Sequence, residues 1–159
     1  MCCYCTGIIY KANNYIIEDM TDVSVLVDSR GGNTRKVADA IAEELGVKAR
    51  NVTTSPTDDA KILFLGSGTY GSKPGEAMRK FIESGNFSGR KVAIFGTSGS
   101  STGGQNMIVA MTDILKQKGA TILGSYHCRG KTFVVNWGHP NKEDLDNAKK
   151  FAKEMLNKS

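Results

Sequence analysis

A chain of 159 residues suits one domain and is short for two. With 40% apolar and 23% charged residues it reads as a folded globular protein, and apolar runs such as Ile62–Leu65 are too short to span a bilayer. The net charge of +5 is spread thinly, with no run of five like charges and no interleaved aromatic–basic motif, which argues for solvated Lys and Arg and against nucleic-acid binding.

Residues 1–19 differ from the remainder of the chain. They hold Cys2, Cys3 and Cys5 and show no clean period. Adjacent cysteines are poor disulfide partners, and no His or fourth Cys lies near them at zinc or iron–sulfur spacing, so free thiols and no metal are expected. The reading is an N-terminal extension over 1–19, disordered or not native, with Met20 as the true start and a folded domain over 20–159. No Arg- or Lys-led apolar segment with a small-residue cleavage site is seen, so a cytoplasmic location is expected.

From residue 22 strand and helix patterns alternate. Val23–Val27 is a short β-branched run and reads as a buried strand. Val37, Ile41 and Leu45, with Ala38 and Ala42 beside them, form one face of a helix stopped by Gly46. Residues 47–52 make a weaker strand suited to a sheet edge. Ile62–Leu65 is a second buried strand, and Ala77, Met78, Phe81 and Ile82 mark a short helix ending before Gly85. Val92–Phe95 is a third buried strand. Met107, Met111, Ile114 and Leu115 give a helix stopped at Gly119. Thr121–Leu123 opens a last strand, which could run to Tyr126, and Leu145, Ala148, Ala152, Met155 and Leu156 form a final amphipathic helix.

Apolar strands separated by helices imply a parallel sheet covered on both faces. Right-handed crossovers then give an α/β doubly wound, three-layer αβα fold with five strands in the order 2-1-3-4-5. Ligands of such sheets sit at the carboxyl ends of the strands, at the switch point. Those ends are the segments 28–34, 66–75 and 96–106, where much of the chain's glycine is gathered. Glycine there lets backbone approach a ligand closely.

The first segment, Ser29, Arg30, Gly31, Gly32, Asn33 and Thr34, joins the first strand to the first helix. Its glycines allow a tight turn that converges N–H groups on one anion, and the helix N-terminus adds partial positive charge. Ser29, Asn33 and Thr34 add short hydrogen-bonding side chains. An ordinary N-cap would account for one polar residue there, not for the whole set.

Residues 25–41 resemble the flavodoxin signature: an apolar strand, then Ser/Thr-x-x-Gly-x-Thr, then an Ala and an apolar helix position. Ser29, Gly32, Thr34, Ala38 and Ile41 fall on it, while Val27 stands where the family usually has an aromatic. The resemblance covers residues 22–157. It implies FMN, with the 5′-phosphate in the 29–34 loop. The second segment, with Ser67, Gly68, Thr69, Tyr70 and Gly71, resembles the family's loop against the isoalloxazine ring. Tyr70 matches the stacking aromatic, and Gly71 a position where a peptide flips to meet the proton on N5 of the half-reduced flavin. The third segment, with Thr97, Ser98 and Gly99, is implied to bind the pyrimidine edge. It carries no aromatic, so the second ring face is left open or covered by Trp137 or Tyr126.

Other chemistries on this fold fit less well. Gly66-x-Gly68-x-x-Gly71 matches a dinucleotide fingerprint but leads into Ser-Lys-Pro-Gly instead of a helix. A receiver domain would need an Asp where Leu65, Gly66 and Ser67 stand. A small tyrosine phosphatase would need a Cys in the first loop. Cys128 reads as a small, partly buried residue, and His127 and His139 show no acid or nucleophile partner, so no catalytic residue is assigned. The expected function is an FMN-binding electron carrier between redox proteins, monomeric, with partners of acidic docking face; an NAD(P)H-dependent flavin or quinone oxidoreductase on the same fold is the alternative.

Overall fold

The computed structural model describes residues 22–53, 59–132 and 135–159; the expected extension over 1–19 lies outside them. Among the described residues ten elements succeed one another: β1 (Val23–Asp28), α1 (Asn33–Leu45), β2 (Ala49–Asn51), β3 (Ile62–Tyr70), β4 (Lys73–Pro74), α2 (Glu76–Ser84), β5 (Lys91–Ser98), α3 (Ser101–Gln117), β6 (Thr121–Arg129) and α4 (Lys142–Asn157). The main sheet is parallel, in the order β2-β1-β3-β5-β6, and β4 hairpins back onto β3. The five parallel strands have the doubly wound order expected from the sequence. The chain reverses direction across the sheet between β2 and β3, so β1 and β3 flank the switch point.

Side chains alternate across the strands and divide the core in two. Val25, Val27, Phe64, Ala93 and Phe95 pack under α1 and α4, with Val37, Ile41, Phe151 and Met155. Leu26, Leu63, Leu65, Val92 and Ile94 pack under α2 and α3, with Met78, Ile82, Met107, Met111 and Leu115. Phe151 anchors the first half: Phe64 meets it edge-on at 6.1 Å and Tyr126 stacks on it at 5.7 Å. Such fully covered central strands explain their unbroken apolar runs.

Two strands run further than their apolar runs suggested. β3 continues through Gly66, Ser67, Gly68, Thr69 and Tyr70, and β5 through Gly96, Thr97 and Ser98, all expected as loop. The register holds throughout, with Gly66 opposite Phe95 and Gly68 opposite Thr97. The glycines are there because neighbours cross over them. A Cβ on Gly66 would lie 2.1 Å from the Phe95 ring, and one on Gly96 would lie 2.2 Å from the Met107 methyl. The third segment likewise becomes helix from Ser101, capped by the Ser100 hydroxyl accepting from the Gly103 N–H. β6 runs to Arg129, beyond the expected end, as a half-exposed edge strand whose polar residues masked it. Among the described residues no helix is long and apolar enough to cross a membrane.

Gly66→Ala is expected to destabilise the fold by about 1–3 kcal/mol in urea denaturation, the usual cost of overpacking. Adding Phe95→Leu should recover much of that loss. Failure of the second change to recover any would mean that the Gly66–Phe95 contact does not set the cost.

Candidate functional site

The turn from β1 into α1 is built to present backbone donors. Gly32, at φ +84°, is the N-cap of α1 and brings no side chain to cap it. A helix begins with N–H groups that lack partners within it. Here Ser29 Oγ accepts one of them, from Arg35 N, at 3.2 Å. Among the described residues nothing accepts from the N–H groups of Gly31, Gly32, Asn33 and Thr34. The other helices are treated differently. α3 has the Ser100 cap, α4 a capping box of Asn141 and Asp144, and the Asp28 carboxylate accepts from Met78 N at the start of α2. No acidic residue stands in the first turn of α1, so its positive end is left unneutralised.

Those donors open into a cleft of about 180 Å³ at the carboxyl ends of the strands. Ser29, Gly31, Asn33, Thr34, Gly68, Thr69, Tyr70, Thr97, Ser98 and Gly99 line it, together with Gly130, Lys131 and Thr132. Thr34 and Thr97 are both buried, and their hydroxyls meet at 2.8 Å, tying α1 to the end of β5. One proton serves that contact; the pair keeps a second to donate elsewhere. The Thr69 hydroxyl oxygen is buried in the cleft wall with no partner among the described residues. A buried hydroxyl without a partner is costly, and a ligand in the cleft is one way to supply it.

Tyr70 closes β3 and forms one side of the cleft. Its hydroxyl accepts from Arg30 N at 3.0 Å, and the Arg30 guanidinium lies 4.2 Å from the centre of its ring. The next two residues, Gly71 at φ +58° and Ser72 at φ +64°, turn the chain into β4 and place Lys73 opposite Tyr70. Positive φ at both central positions is the pattern of a tight type I′ hairpin, where a glycine is favoured. Of the residues singled out in the sequence, Arg30, Gly32, Ser67 and Gly71 do not line the cleft. Ser67 is fully buried, accepting from Gly75 N and donating to Gly68 O, and so braces the loop from behind.

The segment Gly130–Thr132 is a wall the sequence did not mark. Asn33 Nδ2 donates to Lys131 O at 2.8 Å, and Gly130 N donates to Ser98 O, so the chain after β6 is stitched to two sides of the cleft. A Cβ on Gly130 would come within 3.0 Å of Asn33 Nδ2. Only that lone glycine at a strand end could have signalled the approach. Tyr126 does not reach the cleft: it stacks on Phe151 and its hydroxyl donates to Asp144 O, which removes it as a ring cover.

Cys128 and the two histidines gather in a separate hollow at the edge of β6. His139 does have an acid partner, contrary to expectation: its Nδ1 lies 2.6 Å from Asp144 Oδ2. The fold brings the two together across the start of α4, where Asp144 also accepts from Asn141 N. Burial first, then the Asp144 carboxylate, pushes the Cys128 thiol up from 9.0 to about 12, against a smaller opposing effect of Tyr126. A thiol held protonated is a poor nucleophile. The folded state keeps this proton where the unfolded chain loses it, so its contribution is complete below pH 9 and fades as pH rises toward about 12. Cys128→Ala should therefore flatten the fall of the urea midpoint over that range, and equal slopes in the two proteins would contradict it.

The parallel sheet in the order β2-β1-β3-β5-β6, with a glycine-lined cleft at its switch point, is of the flavodoxin type. Residues 24–135 match the flavodoxin domain family, and the chain belongs to that family. It is 33% identical over 135 residues to an uncharacterized protein of Methanocaldococcus jannaschii, covering 78% of this chain and 90% of that one. It is also 27% identical to a flavodoxin-like domain-containing protein of Clostridioides difficile, covering 85% of this chain and 96% of the other. The fold matches oxidised flavodoxin 2 of Bacillus cereus with a TM-score of 0.71 at 19% identity, over 87% of this chain and 99% of that one. FMN is the cofactor of the family, and the function is electron carriage between redox proteins, as is typical of flavodoxins.

Proposed function

We propose that the cleft seats FMN with its phosphate on Ser29–Thr34, its ring against Tyr70 and its pyrimidine edge on Thr97–Gly99, and that it passes electrons to partners with acidic docking faces. The observation that carries this is the set of N–H groups from Gly31 to Thr34, which like the neighbouring Thr69 hydroxyl have no partner among the described residues. The residues fit the group. A dianionic phosphate takes several backbone donors and the positive end of α1. Asn33 Nδ2 keeps one hydrogen besides the one given to Lys131 O, and the Thr34–Thr97 pair keeps another.

Bound there, FMN supplies a ring that takes up and releases electrons one or two at a time. The chain's part is to hold and bias that ring. Tyr70 offers a flat apolar shelf, and stacking on such a shelf is worth about 0.5–1.5 kcal/mol beyond area burial. Gly71, already at φ +58°, has no Cβ to resist a change of its peptide's direction. Arg30, Lys73 and Lys131 stand at or beside the rim, and their positive charge suits both an electron-rich ring and an acidic partner.

Asn33→Leu combined with Thr34→Val tests the phosphate seat. Each donor lost to a charged acceptor is worth about 1.5–3 kcal/mol, so FMN affinity should fall at least tenfold while riboflavin affinity changes little. Equal losses for both ligands would remove the phosphate from this loop. In the unaltered protein loaded with FMN, NAD(P)H oxidation with a quinone should be negligible; turnover on the order of ten per second without a partner reductase would make the protein an enzyme instead.

Lys73→Glu tests the charge. It should make uptake of the second electron less favourable, seen as a lower potential for that couple at low salt and a smaller shift as salt screens it. An unchanged potential at low ionic strength would leave Lys73 as a solvated surface lysine.

A further inference from the structure

We propose that Trp137 covers the second face of the isoalloxazine ring, an inference that rests on the FMN reading above. Tyr70 reaches the cleft from one side only, off the β3–β4 turn. The opposite strand end, Thr97–Gly99, brings hydroxyls and a glycine, and no aromatic stands anywhere in residues 96–106. Tyr126 is committed to Phe151 and to Asp144 O. One flat apolar face of a bound ring would then remain in water, although a large aromatic surface is held ready beside it.

That surface is Trp137, which is 70% exposed. Its ring sits on the Lys131 ammonium, with Nζ 3.9 Å from the ring centroid. Lys131 itself lines the cleft. The residue before Trp137 is fixed to the cleft as well: Asn136, at φ +60°, donates from Nδ2 to Gly99 O at 2.9 Å. Beyond it, Gly138 turns at φ +85°, and Lys131 N donates to His139 O. The chain on either side of the indole is thus tied to two residues of the cleft wall, through the Asn136 side chain to Gly99 and through His139 O to Lys131, while the indole itself is held on its exposed side by the Lys131 ammonium alone among the described residues. An exposed cation–π contact is weak and readily exchanged. Exchanging it for a stacked flavin buries the indole and the ring together, and leaves the Lys131 ammonium beside the ring edge. Placing this aromatic on the chain after β6 also leaves the Thr97–Gly99 side free for polar contacts alone.

Trp137 is the single Trp of the chain, so one indole N–H resonance reports it without ambiguity. On titration of the protein with FMN that resonance should move upfield under the flavin ring current, and riboflavin should move it in the same way. Trp137→Ala should weaken FMN and riboflavin by the same factor, roughly 3- to 10-fold, since the contact is with the ring and not the phosphate. Trp137→Phe should restore most of the affinity. The visible circular dichroism of bound FMN should change in the alanine variant and return in the phenylalanine one. Because the side chain is exposed, thermal unfolding of the apoprotein should be unaltered. FMN binding with an unmoved indole resonance and an unchanged affinity in Trp137→Ala would overturn the proposal and leave the FMN reading standing. Absence of FMN binding by the unaltered protein would remove both.

Discussion

Four consecutive backbone N–H groups, from Gly31 to Thr34, have no acceptor among the described residues. Burying or half-burying such donors costs free energy unless something takes their hydrogen bonds. The starts of α2, α3 and α4 are capped by Asp28, Ser100 and Asn141, so the exception at α1 is not a general looseness of helix starts. The rest of the site is arranged around that unmet demand. Gly32 brings no side chain to cap the helix start, Thr97 ties that start to the end of β5, and Asn33 reaches across to hold the chain after β6. An anion with several oxygen acceptors satisfies the constraint and also suits the positive end of α1.

The sheet sets where this happens. β1 and β3 flank the point at which chain direction across the sheet reverses, so the loops after them diverge to opposite faces and leave a gap. Glycines inside β3 and β5 keep the strands closely packed as they approach that gap. Phe95 crosses over Gly66 and Met107 crosses over Gly96, which seals the core directly beneath the cleft. Ser67 then holds the β3 end by bonding Gly75 N and Gly68 O. A Cβ at Gly66 or Gly96 would displace Phe95 or Met107 in the core on which the ends of β3 and β5 rest.

Much of this was legible in the sequence, for identifiable reasons. The apolar runs Val23–Val27, Ile62–Leu65 and Val92–Phe95 announce covered strands because both their faces are buried. The 29–34 segment announces itself because glycine and short polar residues serve one purpose at a strand-to-helix turn. The continuation of β3 through Gly66–Tyr70 was hidden, since pairing there runs through backbone and glycines chosen for close packing look like loop. Gly130–Thr132 was hidden because its contribution to the cleft depends on where β6 ends, a tertiary fact. The His139–Asp144 pair had a trace in the sequence: Asn141 and Asp144 have the spacing of a helix cap, which fixes Asp144 facing back toward His139.

The most direct measurement is the visible absorption spectrum of the purified protein saturated with FMN, followed by acid precipitation. A cleft built around a phosphate and a stacked ring should give shifted, structured flavin bands that remain through desalting. Those bands should pass wholly into the supernatant once acid unfolds the protein, because no covalent link is called for. A protein that emerges colourless from desalting, after exposure to excess FMN, would contradict the account at its base.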